Sequence, residues 1–238
     1  MDSLGDRMKT YESVSKLFLT RRMPVIVRID GRAFHTYTKR ANKPFDNDLI
    51  DCMVESAISV ANDMQGFKVG YIQSDEASFL LTDYDHIETE AWFANNLQKI
   101  VSVSASTMTA NFNSNAFSSP SLFFRMGGLA TFDSRAFVIP VSDVTNYFLW
   151  RAKDWERNSL QMYARSMFSS KQLHGKNRED MFEMLKAIGK DWHTDISIDN
   201  ACRYGTFICN QGDSGISPKT DILPNFESMN AFLKPFMG

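Results

Sequence analysis

Pro24-Val-Ile-Val-Arg-Ile-Asp-Gly31 is the stretch whose reading decides the fold. A β-branched run that follows a proline and is punctuated by glycine reads as a strand ending at Asp30. Asp46 or Asn47 then caps a helix whose apolar positions Leu49, Met53, Ala57, Val60 and Met64 recur every three or four residues, and Gly66 ends it. From Phe67 to Thr82 two strands, FKVGYI and ASFLLT, flank a tight turn at Gln73-Ser-Asp-Glu76. A second long helix is expected over about 89–111, with Phe93, Leu97, Ile100 or Val101 and Met108 on one face, and a fourth strand over 130–140. The order β-α-β-β-α-β is the ferredoxin-like split motif, an α+β arrangement with an antiparallel sheet and both helices on one face. Beyond it a third helix is expected at about 143–168 and a short one near 179–189. Strand-like segments follow around Ile196 and over 204–209, then a Gly/Pro-punctuated tail. The chain divides accordingly into a catalytic unit, 1–140, and a helical and β-hairpin extension, 141–238.

In this topology the first and third strands are central neighbours. The first ends at Asp30 and the third is entered through Asp75 and Glu76, so three carboxylates gather at one edge of the sheet. Like charges brought together are costly unless a cation lies among them. Magnesium fits, because it takes oxygen ligands from one or two carboxylates and shares the rest of its shell with water and phosphate. Asp30 and Asp75 are the expected ligands of two such ions, with the Gly31 carbonyl as a further oxygen. Glu76 is either a ligand to the second ion or an orienting group. Turn chemistry alone also accounts for Asp at both places. Arg28 shares a strand face with Asp30 and serves either a phosphate or an acid. Arg32 and His35, just after Gly31, lie where phosphates would rest, and Lys43 either binds a phosphate or covers a helix end.

Composition is that of an ordinary globular chain: 43% hydrophobic, 23% charged, formal net charge −2. No run reaches the length of a membrane span, and the polar start MDSLGDRMKT is unlike a signal peptide. Three cysteines without metal-site spacing indicate neither a disulfide framework nor a zinc site, which suits a reducing cytoplasm. Charge is unevenly spread. Residues 16–43 carry eight Lys/Arg against one acid, and residues 151–178 carry seven against two. Such segregation suits phosphate binding, although a pair of solvated faces has the same composition. Arg151, Lys153, Arg157, Lys171, Lys176 and Arg203 are the candidate RNA contacts. There is no P-loop, no dinucleotide fingerprint and no nucleophile elbow. The aromatic series Phe132, Phe137, Tyr147, Phe148, Trp150, Trp155 reads as core rather than as a base-stacking platform.

Val27-Arg-Ile-Asp-Gly-Arg-Ala-Phe-His35, Lys43-Pro44 and Gln73-Ser-Asp-Glu-Ala-Ser-Phe79 together resemble the tRNA-histidine guanylyltransferase family of 3′–5′ polymerases. The resemblance runs from about residue 6 to 170, and weakly to Arg203-Tyr-Gly-Thr206. It implies a polymerase-like palm and magnesium bound by Asp30, Asp75 and the Gly31 carbonyl, with Glu76 as the third essential acid. It places the nucleotide triphosphate along Asp30, Gly31, Arg32, Ala33, Phe34 and His35, with Ser74 and Asp75. It further implies ATP and GTP as substrates, tRNA as partner and a tetrameric homo-oligomer. The reaction implied is activation of a tRNA 5′-phosphate by ATP or GTP, followed by attack of the GTP 3′-hydroxyl.

One departure stands out. Where the eukaryotic members carry HINNLYN, this chain has Glu156-Arg-Asn-Ser-Leu-Gln-Met162, keeping only Asn158 and Leu160. That resembles the bacterial, archaeal or phage branch and leads to the expectation of template-dependent repair of 5′-truncated tRNA, with guanylate addition to tRNA-histidine as the alternative. A palm-fold nucleotide cyclase would need a glycine pair in the hairpin, which is missing. A non-catalytic RNA-binding protein would leave the three acids unexplained.

Overall fold

The computed structural model describes residues 3–126 and 128–237; the first two residues of the polar start and the last residue of the extension lie outside it, as does residue 127 within the catalytic unit. Strand β1 (Val25–Gly31) leads through a helical turn α2 (Phe34–Tyr37) to helix α3 (Asn47–Asn62). Asp46 caps α3, its carboxylate accepting from the Leu49 N–H at 3.3 Å. Gly66 (φ +79°) turns the chain into the hairpin β2 (Phe67–Gln73) and β3 (Glu76–Leu81). A side chain at Gly66 would also meet the Thr82 carbonyl oxygen at 2.3 Å, so glycine is required there twice over.

Helix α4 (Leu97–Ser118), the short α5 (Pro120–Arg125) and strand β4 (Phe132–Val138) complete the split motif. The sheet order β4-β1-β3-β2-β5-β6 places β1 and β3 side by side at the centre, in antiparallel register from Val25↔Leu81 to Asp30↔Glu76. Preceding this unit is α1 (Leu4–Ser13), which buries none of its residues.

The second long helix starts later and ends later than its apolar pattern suggests. Phe93 and Ala94 adopt left-handed backbone (φ 50° and 51°), and Asn96 caps α4 by accepting from the Lys99 N–H at 3.0 Å. Phe93 therefore belongs to the approach to the helix and not to its buried face.

Helices α3 and α4 cover one side of the sheet, where Val25, Val27, Ile29, Ala77, Phe79 and Leu81 pack with Met53, Ala57, Ile100 and Phe112. The other side is covered by α6 (Val141–Arg165) and α10 (Phe226–Leu233), against Ile26, Val69, Tyr71, Leu80 and Phe207. The boundary at 140 thus separates stretches of sequence but not sheets. Strand β5 (Thr206–Asn210) pairs with β2, and β6 (Ile216–Lys219) pairs with β5.

The outer half of α6 carries a third cluster, in which Leu160, Tyr163 and Ala164 meet Met181 and Leu185 of α8 (Arg178–Ala187), Trp192 and Cys202. Between α6 and α8 lies the turn-length α7 (Ser170–Leu173); α9 (Asn200–Tyr204) precedes β5. The segment around Ile196 is not a strand. Asp195 accepts from both the Ser197 N–H (2.9 Å) and hydroxyl (2.6 Å), forming a turn that leaves Ile196 fully exposed. Of the aromatic series, Phe132, Tyr147, Phe148 and Trp155 are buried and Phe137 partly so, whereas Trp150 is exposed.

Candidate active site

Alternation along β1 and β3 decides which groups meet. Val27 and Ile29 point toward α3 and α4, so Arg28 and Asp30 point toward α6, together with Ser78 and Glu76 of the neighbouring strand. Asp75 occupies the turn between β2 and β3, and its carbonyl accepts from the Gly31 N–H at 3.0 Å. That bond ties the turn to the end of β1. Burial first, and then the nearby Asp30 and Glu76 charges, push the Asp75 carboxyl up to about 6.

Glu76 is differently placed. Its two oxygens accept from Arg151 Nε and Nη2 of α6, both at 2.7 Å, in a bidentate pair with both side chains 8% exposed. The Arg151 guanidinium also lies 4.5 Å from the Trp150 ring centre and 3.4 Å from the Asp154 carboxylate. Both Glu76 carboxylate oxygens are thus occupied by one guanidinium. Among the described residues no three His, Cys, Asp or Glu side chains converge as a metal cage. Two carboxylates nevertheless fit magnesium, which seldom takes an all-protein cage. Among the described residues Asp30 and Asp75 form no ion pair, and Asp75, raised by burial first and by the neighbouring carboxylates after it, would be favoured as a carboxylate by a divalent ion.

Two clefts of about 550 Å³ each meet at Asp75, and Asp30 lines the second. The first is lined by Gly31, Ala33, Phe34, His35, Lys43, Ser74 and Asp75, together with Thr38, Lys39 and Asn42. The second is lined by Asp30, Asp75, Glu76, Arg151 and the α6 residues Asn158, Gln161, Met162 and Arg165. His35, Ser74, Asp75 and Met162 line both.

Two left-handed backbone positions lie at this junction. Ala33 (φ 53°) and Ser74 (φ 51°) are left-handed non-glycine residues, a conformation that persists only where the surroundings enforce it. Ala33 starts α2, and the first N–H groups of a helical turn have no partner within it. A side chain at Gly31 would collide with the Phe34 ring at 2.2 Å, so this close packing depends on glycine. Asp46, buried at the N-terminus of α3, accepts from Arg125 at 2.8 Å and from the Asn42 N–H at 2.8 Å, which fixes the wall carrying Lys43.

Of the residues expected along the nucleotide, Arg32 alone lines neither cleft; its N–H donates to the Thr131 carbonyl at 2.9 Å. Arg28 Nε is buried without a hydrogen-bond partner. Two expected RNA contacts are corrected. Arg151 is held by Glu76, and Arg203 is buried, donating to the carbonyls of Trp192 (2.7 Å) and Asp195. Arg157 is exposed and paired with Asp154; Lys153, Lys171 and Lys176 are exposed. The second cleft's wall was not foreseen, yet Asn158, Gln161, Met162 and Arg165 follow the spacing of a single helix face.

A palm-like sheet edge with two carboxylates between two substrate-sized clefts defines a nucleotidyltransferase. The chain belongs to the tRNAHis guanylyltransferase family, whose pattern it matches over residues 5–140. Its structure is similar to that of a bacterial tRNA(His) guanylyltransferase-like protein in complex with ATP, with TM-score 0.90, 42% identity and 99% of each chain covered. It is also similar to one in complex with GTP, with TM-score 0.82 and 39% identity over the same share. Among curated sequences it is 28% identical to an uncharacterized protein of Acanthamoeba polyphaga mimivirus, over 78% of this chain and 70% of that one. It is 29% identical to a probable tRNA(His) guanylyltransferase of Homo sapiens, over 57% of this chain and 45% of the human protein. The chain thus spans about half the length of that relative.

Proposed function

We propose that this chain adds guanylate to the 5′ end of a tRNA in the 3′–5′ direction, using ATP or GTP and magnesium. The observation that supports the reading is the meeting of two clefts at Asp75, with Asp30 lining the second. In the first cleft the strained turn at Ala33, His35, Lys43 and Ser74 receives the triphosphate. In the second, α6 receives the RNA end. Asp30, Asp75 and the Gly31 carbonyl would hold magnesium, which would lower the pKa of an attacking hydroxyl and shield the charge of the leaving phosphate. Glu76, fixed by its bidentate pair with Arg151, orients the groups around Asp30.

The balance of bonds is simple. The tRNA 5′-phosphate attacks the α-phosphorus of the activating nucleotide, releasing pyrophosphate and forming a 5′–5′ linkage. The 3′-hydroxyl of GTP then attacks the tRNA-side phosphorus of that linkage, and the activating nucleoside monophosphate leaves. Holding both substrates against one pair of acids supplies the proximity this needs. Relatives described as tRNA(His) guanylyltransferases favour guanylate addition over the templated repair expected from the altered helix motif. At that position Glu156 is paired with Arg178 at 2.8 Å, an ion pair that bridges α6 and α8.

Three buried free thiols, Cys52, Cys202 and Cys209, support a reducing, cytoplasmic setting. Leu4, Tyr11 and Val14, all exposed on or beside α1, support a homo-oligomer, for which light scattering is the check.

The function is tested by supplying all four nucleoside triphosphates and two labelled tRNAs. One is tRNA-histidine lacking its extra 5′ guanylate, and the other is shortened by one 5′ nucleotide. Guanylate on the first alone is the expected result. Addition that follows the opposing base on the second would transfer the enzyme to the repair class.

A further inference from the structure

Helix α6 meets the β2–β3 turn that carries Asp75, and one of its side chains there lacks a partner. Trp155 is 4% exposed, and its indole N–H is buried with no hydrogen-bond acceptor among the described residues. Tryptophan brings a donor into a core that phenylalanine would fill without one. A buried donor left unpaired is costly, and such donors are few in folded proteins.

Trp155, Gln73 and Ser74 form a wall with space on two sides. On one side is the second cleft. On the other is a cavity of about 10 Å³, closed by Met53 of α3, Ala201 of α9 and Thr206 of β5. The N–H is itself buried, so it is out of reach of a substrate in the open cleft, and the cavity is the place for its partner. That cavity has room for one water and for no larger ligand. An apolar void would stay dry, but this wall includes Gln73, Ser74 and Thr206 beside the indole. Gln73 follows Tyr71 by two residues on β2, so both face α6, and Gln73 is 6% exposed.

The structure assigns this cavity to a single ordered water that accepts from Trp155 Nε1 and bridges α6 to the Gln73-Ser74 segment, which makes Trp155 a positioning residue for Asp75. The turn requires support of this kind. Ser74 holds a left-handed backbone (φ 51°) without being glycine. One tie is direct, from the Gly31 N–H to the Asp75 carbonyl at 3.0 Å, and it joins the turn to β1. The water adds a second tie, to the helix that walls the second cleft, at nearly the strength of a direct bond. The use of Asp75 in the reaction rests on the proposed function; the water does not.

The test begins with a high-resolution crystal structure of the chain. It should show one water within hydrogen-bond distance of Trp155 Nε1 and of a polar atom of Gln73, Ser74 or Thr206. An empty cavity, or a protein acceptor bonded directly to the indole, would overturn the inference. Trp155→Phe then keeps a ring and removes the N–H. In amide hydrogen exchange without substrate, the Gly31 amide should speed up by about tenfold relative to that of Val27 in the same strand. Single-turnover addition should fall by about tenfold at saturating substrates, with GTP and tRNA affinities near wild type. Trp92→Phe, which removes another buried indole on the approach to α4, should change neither readout. If the water is present but exchange and turnover in Trp155→Phe stay within about twofold of wild type, the positioning role is overturned. Weakened substrate affinity would make the indole part of the cleft wall and overturn it likewise. Because the crystal and exchange readouts use no substrate, absence of addition by wild type refutes the proposed function alone.

Discussion

On the side of the sheet under α3 and α4, β1 and β3 present Val25, Val27, Ile29, Ala77, Phe79 and Leu81, none more than 4% exposed. On the side under α6 the same strands begin alike, with Ile26 and Leu80, and then present Arg28, Ser78, Asp30 and Glu76. The period of two in a strand lets one stretch of chain carry hydrocarbon packing on one face and chemistry on the other. The polar half keeps its place because the apolar face fixes the register. A slip of one residue would exchange the two sets. The difference also extends to adjacent residues: Glu76 is neutralised by Arg151, and Asp75 is left with its charge uncompensated.

Substitutions on the two faces should therefore separate activity from stability. The largest effect is expected for Asp30→Ala, a loss of addition on the order of a thousandfold or more with the melting curve and tRNA binding retained. Glu76→Ala should do both kinds of damage. It leaves a buried Arg151 without its partner, costing about 3–5 kcal/mol in denaturant unfolding, and addition should fall as well. Ile29→Ala, one residue from Asp30 but on the other face, should cost about 2–5 kcal/mol while kcat of the folded fraction stays near wild type. Loss of kcat there would erase the distinction between faces.

The smaller effects concern pH. Single-turnover addition should decline by about tenfold per unit as pH falls through 6, because Asp75 must be ionised to act. Raising magnesium should move that inflection to lower pH, since a cation favours the carboxylate. The stability effect has the opposite sense. The folded value lies above the ordinary 3.8, so ionised Asp75 disfavours the fold above pH 6, and the penalty is relieved as pH falls toward 3.8. Asp75→Asn should thus stabilise the protein by on the order of 2 kcal/mol at pH 8 and by progressively less below pH 6.

What was legible in the sequence follows the same division. The β1 run, the cap at Asp46, Gly66 and the 67–82 hairpin declare themselves locally, and their order implies that β1 and β3 adjoin. The order of elements alone therefore brings Asp30 and Asp75 together. Pairings over long separations could not. Nothing local shows that Arg151 reaches Glu76, 75 residues earlier, so a buried ion-pair partner reads as an RNA contact. Arg203 misleads in the same way, since backbone carbonyls leave no mark in sequence. The early start assigned to α4 came from Phe93, whose apolar character says nothing of its left-handed backbone. Strand β6 and helix α10 lacked a clear period, and each is stabilised by the elements it packs on.

The most direct measurement is single-turnover guanylate addition to 5′-phosphorylated tRNA by wild type and Asp75→Asn, with GTP and tRNA affinities determined for both. Wild type should add guanylate, and Asp75→Asn should do so roughly a thousandfold more slowly at near-equal affinity for both substrates. Turnover by Asp75→Asn within about tenfold of wild type would remove Asp75 from the chemistry, because the two clefts would then meet at a residue that the reaction does not use.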